Sequence, residues 1–308
     1  MKPILTLTLN PSVDGSAEAD VVRHTHKIRT SNERYDPGGG GINVARVLTE
    51  LGAEACSVYA AGGATGGVLD TLVGQRGIAY TRIPIHDDTR ISHVVFERSS
   101  GKEYRFVPEG PLLREDECAA VLAEIEERDV DWIVASGSLP RGTPPGFYSR
   151  IADIAAAKGA KLVLDTSGAA LADTLAHGGL HLVKPSHGEL EKAVGRPLPD
   201  TEAIGAAAME FVLAGKVDLV AVTLGHEGAI LASREGVVRK EVPPVEVRSA
   251  VGAGDSFVAG MTFGLATGLS PREAFVLGMA AGTAAVLTPG TELCRREDVE
   301  RLRAEIGA

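Results

Sequence analysis

Between residues 131 and 223 the chain repeats one grammar: a short apolar run, a helical stretch, then another apolar run. Asp131–Ala135 (DWIVA), Lys161–Leu164, Leu180–Val183 and Leu219–Thr223 are the apolar runs, and helical patterns over 144–157 and 169–176 separate the first three. Runs that are apolar throughout, rather than alternating, suit strands buried on both faces. Parallel neighbours need crossover connections of about a dozen residues, usually helical. This pattern commits the chain to a mainly parallel sheet covered by helices on both sides, a three-layer α/β/α arrangement. Residues 4–9 (ILTLTL) read as a first strand rather than a signal peptide. Stretches 41–51, 54–60 and 65–73 continue the βα pattern, and the C-terminal part is mostly helical, over about 255–267, 271–287 and 296–306.

Two stretches, about 12–36 and 82–108, obey a different period. Ser92-His93-Val94-Val95-Phe96-Glu97 and Glu103-Tyr104-Arg105-Phe106-Val107 alternate in the manner of strands with two unlike faces. They predict a small β-sheet lid built from discontinuous segments, with residues 1–308 otherwise forming one α/β domain.

Composition narrows the function. Aromatic residues are only 4%, so Ala, Val, Leu and Ile must build the core, while glycine, 37 of 308, exceeds the usual share of about 7%. Such an excess suits places where backbone approaches a ligand closely. The net charge of −10 argues against a nucleic-acid partner, though not against a small anionic substrate in a local basic pocket. Cys56, Cys118 and Cys294 lie far apart without metal-type spacing, so the thiols read as reduced and the protein as cytoplasmic, and the eight histidines show no metal spacing either. The longest weakly polar stretch, 256–269, is too short and too glycine-interrupted to span a bilayer.

The glycines concentrate at helix starts. Pro37-Gly38-Gly39-Gly40-Gly41-Ile42-Asn43 runs four glycines into a helical stretch, where unpaired N–H groups and the positive end of the dipole receive anions or hydroxyls; Asn43, one turn in, would aim its amide at the same ligand. The spacing is not that of a dinucleotide G-x-G-x-x-G fingerprint, and Walker A and G-x-S-x-G motifs are absent. Val251-Gly252-Ala253-Gly254-Asp255-Ser256 makes a second cradle. Asp255 at its mouth reads either as a base beside an anion hole or as a helix N-cap, and residue types alone leave both open. Thr223-Leu224-Gly225-His226-Glu227-Gly228 and Lys184-Pro185-Ser186-His187-Gly188-Glu189 both follow strands. The first suits a turn near a nucleotide, and the second a phosphate-facing lysine with a carboxylate for hydrated Mg²⁺ or, equally, an ordinary helix start. Asp14 and Arg90 suit sugar hydroxyls and phosphate respectively, or plain surface charge.

Together these blocks resemble the two signatures of the ribokinase-like (PfkB) carbohydrate kinases, in order and spacing, over nearly the whole chain. Gly40 stands where members acting on 1-phosphates or tagatose 6-phosphate usually carry lysine. The all-glycine form, with 60–66, 104–107, 137–140 and 290–294, resembles the 6-phosphofructokinase-type subgroup. The resemblance implies ATP-dependent phosphorylation of a sugar phosphate, most simply fructose 6-phosphate, with a kinase for tagatose 6-phosphate or fructose 1-phosphate, or a non-catalytic sugar-phosphate sensor, as the alternatives. It implies Asp255 as base, with Gly252, Ala253 and Gly254 in the anion hole. It implies Asp14, Lys27, Gly39, Gly40, Asn43, Arg90 and Ser138 at the sugar phosphate, and Lys184, Ser186, Thr223, Gly225, Gly228 and Thr283 at ATP. Glu189 would serve Mg²⁺ through water, and Ser249, Val251, Ala285, Thr288 and Gly290 a monovalent cation such as K⁺. Pairing of lids implies a homodimer. Three departures stand out: Ser186 replaces the usual Asn, and Gly188 and Glu292 replace a lysine and an arginine of the subgroup.

Overall fold

A computed structural model describes residues 2–307. Thirteen strands and ten helices follow one another as β1 (Ile4–Thr8), β2 (Ser12–Ala19), β3 (Ser31–Gly38), α1 (Gly40–Glu50), β4 (Ala55–Ala61), α2 (Gly63–Gln75), β5 (Ala79–Pro84), β6 (Arg90–Glu97), β7 (Lys102–Phe106), α3 (Glu115–Glu127), β8 (Trp132–Ser136), α4 (Phe147–Lys158), β9 (Lys161–Asp165), α5 (Gly168–His177), β10 (Leu180–Val183), α6 (His187–Val194), α7 (Thr201–Leu213), β11 (Val217–Thr223), β12 (Ala229–Ser233), β13 (Gly236–Lys240), α8 (Ala253–Ala266), α9 (Pro271–Ala285) and α10 (Arg296–Gly307). The central sheet has nine strands in the order β13-β12-β11-β10-β9-β8-β1-β4-β5. It is parallel from β5 through β11, and only β12 and β13 run antiparallel at one edge.

Side chains alternate along each strand, yet both faces are apolar, and that is why the runs looked continuous in the sequence. Trp132, Val134 and Val163 pack with residues of α1, α2, α8, α9 and α10 on one side. Ile133, Ala135, Leu162 and Leu164 pack with residues of α3, α4, α5, α6 and α7 on the other. The architecture is the three-layer one the βα grammar predicts. Four elements carried no signal used above: the helices α3 and α7, of 13 residues each, and the short strands β12 and β13.

A separate four-stranded sheet has the order β3-β2-β6-β7. Its cross-strand rows explain the alternating sequence. Asp14 lies opposite Asp36 and Ser92, whereas Gly15 lies opposite Tyr35 and His93, with Phe106 beyond. One face is therefore polar. The opposite face carries Tyr35, Ile91 and Phe106, which are 55%, 36% and 57% exposed. Residues 82–84, grouped above with this sheet, belong instead to β5 and pair with β4 of the central sheet. No helix among the described residues is long and apolar enough to cross a membrane.

Candidate active site

The carboxyl ends of the parallel strands present Thr8, Ser136, Asp165, Lys184 and Thr223 along one edge of the central sheet. That edge is where ligands bind in open α/β sheets. The small sheet springs from the same edge, since β2 follows β1 after three residues. Between the two sheets lies a cleft of about 350 Å³ lined by Ser12, Asp14, Arg90, Ser92, Arg105 and Val107 of the small sheet and by Gly39, Gly40, Asn43, Ser136, Ser138, Asp165, Glu189, Val251 and Asp255 of the large domain.

Two helices aim their N-termini into this space. At α8 the N-cap is Gly252, left-handed at φ 73°. That conformation calls for glycine, and a Cβ there would come within 2.3 Å of Leu293 Cδ2 and displace it. The first intrahelical bond runs from Ser256 N to Gly252 O, at 2.8 Å. The amides of Ala253, Gly254 and Asp255 precede it and have no carbonyl four residues back. Asp255 is thus the third residue of the helix, and its reading as an N-cap is corrected: the cap position belongs to Gly252. Its carboxylate accepts from Asn43 Nδ2 at 2.9 Å. Burial, then the neighbouring Asp165, pushes its pKa up to about 6, against the lowering effects of Asn43 and Lys184. A carboxylate so tuned is ionised at neutral pH yet remains a competent proton acceptor. At α1 the approach is equally close. A Cβ on Gly40 would meet Ser136 Oγ at 2.3 Å and Gly137 N at 2.9 Å, so residue 40 has no room for a side chain.

Behind the α8 N-terminus, Lys184 Nζ pairs with Asp165 Oδ1 at 3.1 Å, both side chains nearly enclosed. Burial works against the ammonium, but Asp165, aided by Glu189 and Asp255, prevails and keeps the Lys184 pKa above the ordinary lysine value. A Cβ on Gly254 would lie only 3.5 Å from that Nζ, so the missing side chain leaves the ammonium open to the helix mouth.

On the small sheet, Arg90 donates from Nη2 to Asn10 O at 2.8 Å and from Nη1 to Pro108 O at 2.9 Å. Its buried Nε has no hydrogen-bond partner in the protein. The fixed guanidinium with a spare buried donor is suited to an anion. Asp14 is hydrogen-bonded by Ser12 Oγ, and burial raises its pKa above the usual carboxylate value. Ser138 Oγ accepts from Asn10 Nδ2 at 3.3 Å.

A second cleft, about 320 Å³, is lined by Ser186, Gly188, Thr201, Thr223, Leu224 and Glu227. Ser186 and Thr223 meet there because Thr223 N donates to Pro185 O at 3.1 Å. Glu189 lines the first cleft and Ser186 the second, so the start of α6 stands between them. Ser186 caps α6, and Glu189 Oε2 accepts from Ser186 N at 2.7 Å and Oγ at 2.8 Å in a capping box. Serine thus does the capping work that the usual Asn would do, and Oε1 of Glu189 is the oxygen left over.

Of the other predicted residues, Val251 lines the first cleft and the rest fall outside both. Gly225 and Gly228 bracket a single 3₁₀ turn between β11 and β12. Thr283 is buried on α9, and Lys27 is exposed on the loop between β2 and β3. Ser249 and Val251 lie on the loop before α8, and Thr288 and Gly290 on an adjoining loop that follows Ala285, the last residue of α9: Arg248 N donates to Val286 O at 2.8 Å, and Thr288 Oγ1 to Ala285 O at 2.8 Å and Glu292 O at 3.0 Å. Sequence reasoning missed Asp165, Arg105, Ser92 and Ser136. The signal for Asp165 was an acidic residue closing a buried strand, and for Arg105 a cation inside an alternating strand. Neither gains meaning until the two sheets face each other.

A buried carboxylate at the open amides of a helix, facing a polar cleft with a fixed arginine, on a three-layer α/β/α frame with a separate small sheet, defines the class: a sugar kinase, a phosphotransferase with a hydroxyl acceptor. The chain belongs to the pfkB family of carbohydrate kinases, whose model matches residues 8–298. It is 44% identical over 300 residues to the ATP-dependent 6-phosphofructokinase isozyme 2 of Mycobacterium tuberculosis, covering 97% of this chain and 88% of the relative. The crystal structure of Escherichia coli phosphofructokinase-2 in complex with potassium superposes with a TM-score of 0.96 at 38% identity, covering 100% of both chains. Arabidopsis thaliana ribokinase, at 20% identity and a TM-score of 0.75 over 98% of this chain and 99% of its own, shares the fold.

Proposed function

We propose that the protein transfers the γ-phosphoryl group of ATP to the 1-hydroxyl of fructose 6-phosphate, giving fructose 1,6-bisphosphate and ADP. The observation that carries this reading is Asp255, buried at the mouth of three open amides and facing the cleft that Arg90 and Asp14 line. Support for the substrate comes from relatives: the M. tuberculosis protein is an ATP-dependent 6-phosphofructokinase, and E. coli phosphofructokinase-2 has been solved in complex with fructose-6-phosphate.

Arg90 holds the sugar's phosphate, with Arg105 lining the same cleft, and Asp14, Asn43, Ser138 and the backbone at Gly39 and Gly40 orient its hydroxyls. Asp255 takes the proton of the 1-hydroxyl as its oxygen attacks the γ-phosphorus. The bond to the β–γ bridging oxygen breaks, and ADP leaves with its electron pair. The amides of Ala253, Gly254 and Asp255, with Lys184, stabilise charge on the transferring group. Lys184, Ser186, Thr223, Gly225, Gly228 and Thr283 serve ATP. Glu189, through its spare Oε1, suits a hydrated Mg²⁺, which when bound neutralises phosphate charge. Ser249, Val251, Ala285, Thr288 and Gly290 make the proposed monovalent-cation site, though the Ala285 carbonyl already accepts from Thr288.

The small sheet acts as the lid of this cleft, and its exposed apolar face (Tyr35, Ile91, Phe106) pairs with a second copy in a homodimer, which brings the exposed Lys27 toward a neighbouring cleft. One solved form of the E. coli relative is tetrameric and inhibited. A cytoplasmic location fits the three unpaired cysteines.

A coupled assay of ADP release across fructose 6-phosphate, fructose 1-phosphate, tagatose 6-phosphate and free fructose tests the reading, with the highest kcat/KM expected for fructose 6-phosphate. A 1-phosphofructokinase of Xanthomonas campestris, 34% identical over 85% of this chain, makes fructose 1-phosphate the second candidate. Against it stands Gly40, where no lysine fits beside Ser136.

A further inference from the structure

We propose that Arg46 is a positioning residue: it fixes which end of the Asn43 carboxamide faces Asp255, and Asp36 of the small sheet holds it in place. The inference rests on Asp255 being the base and deepens that reading.

Asn43 and Arg46 lie one turn apart on α1 and share a face. Arg46 Nη1 donates to Asn43 Oδ1 at 3.1 Å, while Asn43 Nδ2 donates to Asp255 Oδ2 at 2.9 Å. A guanidinium has donors only. The amide oxygen must therefore face Arg46, and the NH₂ end is left for the carboxylate. Turned over, the amide would set an oxygen against Asp255 and a donor against Arg46, losing both bonds. Arg46 has little freedom of its own, because its side chain is only 8% exposed. It also donates to Pro37 O at 3.2 Å and Thr291 O at 3.3 Å. Asp36 lies 3.6 Å from its Nη2, accepts from Thr291 Oγ1 at 2.6 Å and is ion-paired with Arg76. The line Asp36–Arg46–Asn43–Asp255 thus joins the small sheet and the 289–292 turn to the reacting carboxylate. Neither Asp36 nor Arg46 is needed to touch a ligand.

The groups that face Asp255 are Asn43 and Arg46 from α1, Asp165 from β9, Lys184 after β10 and Asp14 from β2. Asn43 stabilises the ionised form by donating to it. Replacing Arg46 by methionine releases the amide and removes a nearby positive charge, and both changes favour protonated Asp255. The acid limb of the kcat–pH profile should move upward by about half a unit or more, with a larger loss in kcat than change in the KM for fructose 6-phosphate. In an Asn43→Ala background the same Arg46→Met change should move the limb much less, because the route through the amide is already cut. If Arg46→Met fails to fold, Arg46→Lys serves. It keeps a charge for Asp36 but has no planar fork to span Pro37, Thr291 and Asn43, and a smaller upward shift is expected. A folded Arg46 variant whose acid limb stays at the wild-type position overturns the proposal, and so does a limb that moves equally with and without Asn43. Should Asp255→Asn itself turn over normally, the base assignment and this inference fall together. An inactive Asp255→Asn beside an unshifted Arg46 variant removes the inference alone.

Discussion

Replacing Asp255 by Asn tests whether the site is built at the expense of stability. The carboxyl is buried, and its pKa stands at about 6 against an ordinary 3.8. At about 1.36 kcal/mol per unit, that displacement means the folded state pays about 3 kcal/mol to keep the group ionised at neutral pH. The sign follows from the direction of the shift. Below pH 3.8 the carboxyl is protonated in both states and the penalty is absent; it grows between 3.8 and about 6 and is complete above 6. Asparagine is isosteric, still accepts from Asn43 and carries no charge. Asp255→Asn is therefore expected to melt roughly 5 °C higher than the parent at pH 7.5, with the gap closing below about pH 4, while kcat falls by about 10³ or more. The wild-type kcat should drop about fivefold between pH 6 and pH 5, whereas an ordinary aspartate would lose little there. Differential scanning calorimetry of both proteins across pH 4–8 and a coupled assay at saturating substrates supply the two readouts. A variant less stable than the parent at pH 7.5, or a gap that ignores pH, would refute the reasoning.

Gly252→Ala forces a side chain into a left-handed position 2.3 Å from Leu293, and a loss of about 1–3 kcal/mol is expected in denaturant melts, with kcat reduced because the α8 amides shift. Arg90→Lys keeps charge but not the fork, so KM for the sugar phosphate should rise about 10-fold or more while the melting temperature changes little; an unchanged KM removes Arg90 from the phosphate site. Lys184→Met strands the buried Asp165, and a destabilisation of about 3–5 kcal/mol is expected. Adding Asp165→Asn should recover much of that loss, and a double variant no more stable than Lys184→Met argues against the pair.

Three arrangements show where sequence reasoning stops. Asp255 was singled out from its glycine neighbours, but whether it capped α8 depended on one residue of helix start, and only the placement of Gly252 as N-cap excludes that reading. Asp165 ends a strand like many others, and becomes part of the site because β9 lies beside β10 and brings it against Lys184. Ser186 read as a departure from the family pattern and Glu189 as a carboxylate for Mg²⁺, and the structure shows the two joined in a capping box, a local bond that residue types alone permit but do not compel.

What the sequence determined by itself was set by local rules: apolar runs that need cover on both faces, alternation that makes a two-faced sheet, and glycines where helix amides must stay open. Those rules act within about a dozen residues, so they specify the layers, the family and the two anion cradles. Tertiary structure alone decided which side chains meet across them. Asn43 and Asp255 are 212 positions apart in the chain, and Asp36 and Thr291 are 255 apart, yet each pair shares a hydrogen bond. Contacts at such separation follow from strand order and helix packing, which no local pattern encodes.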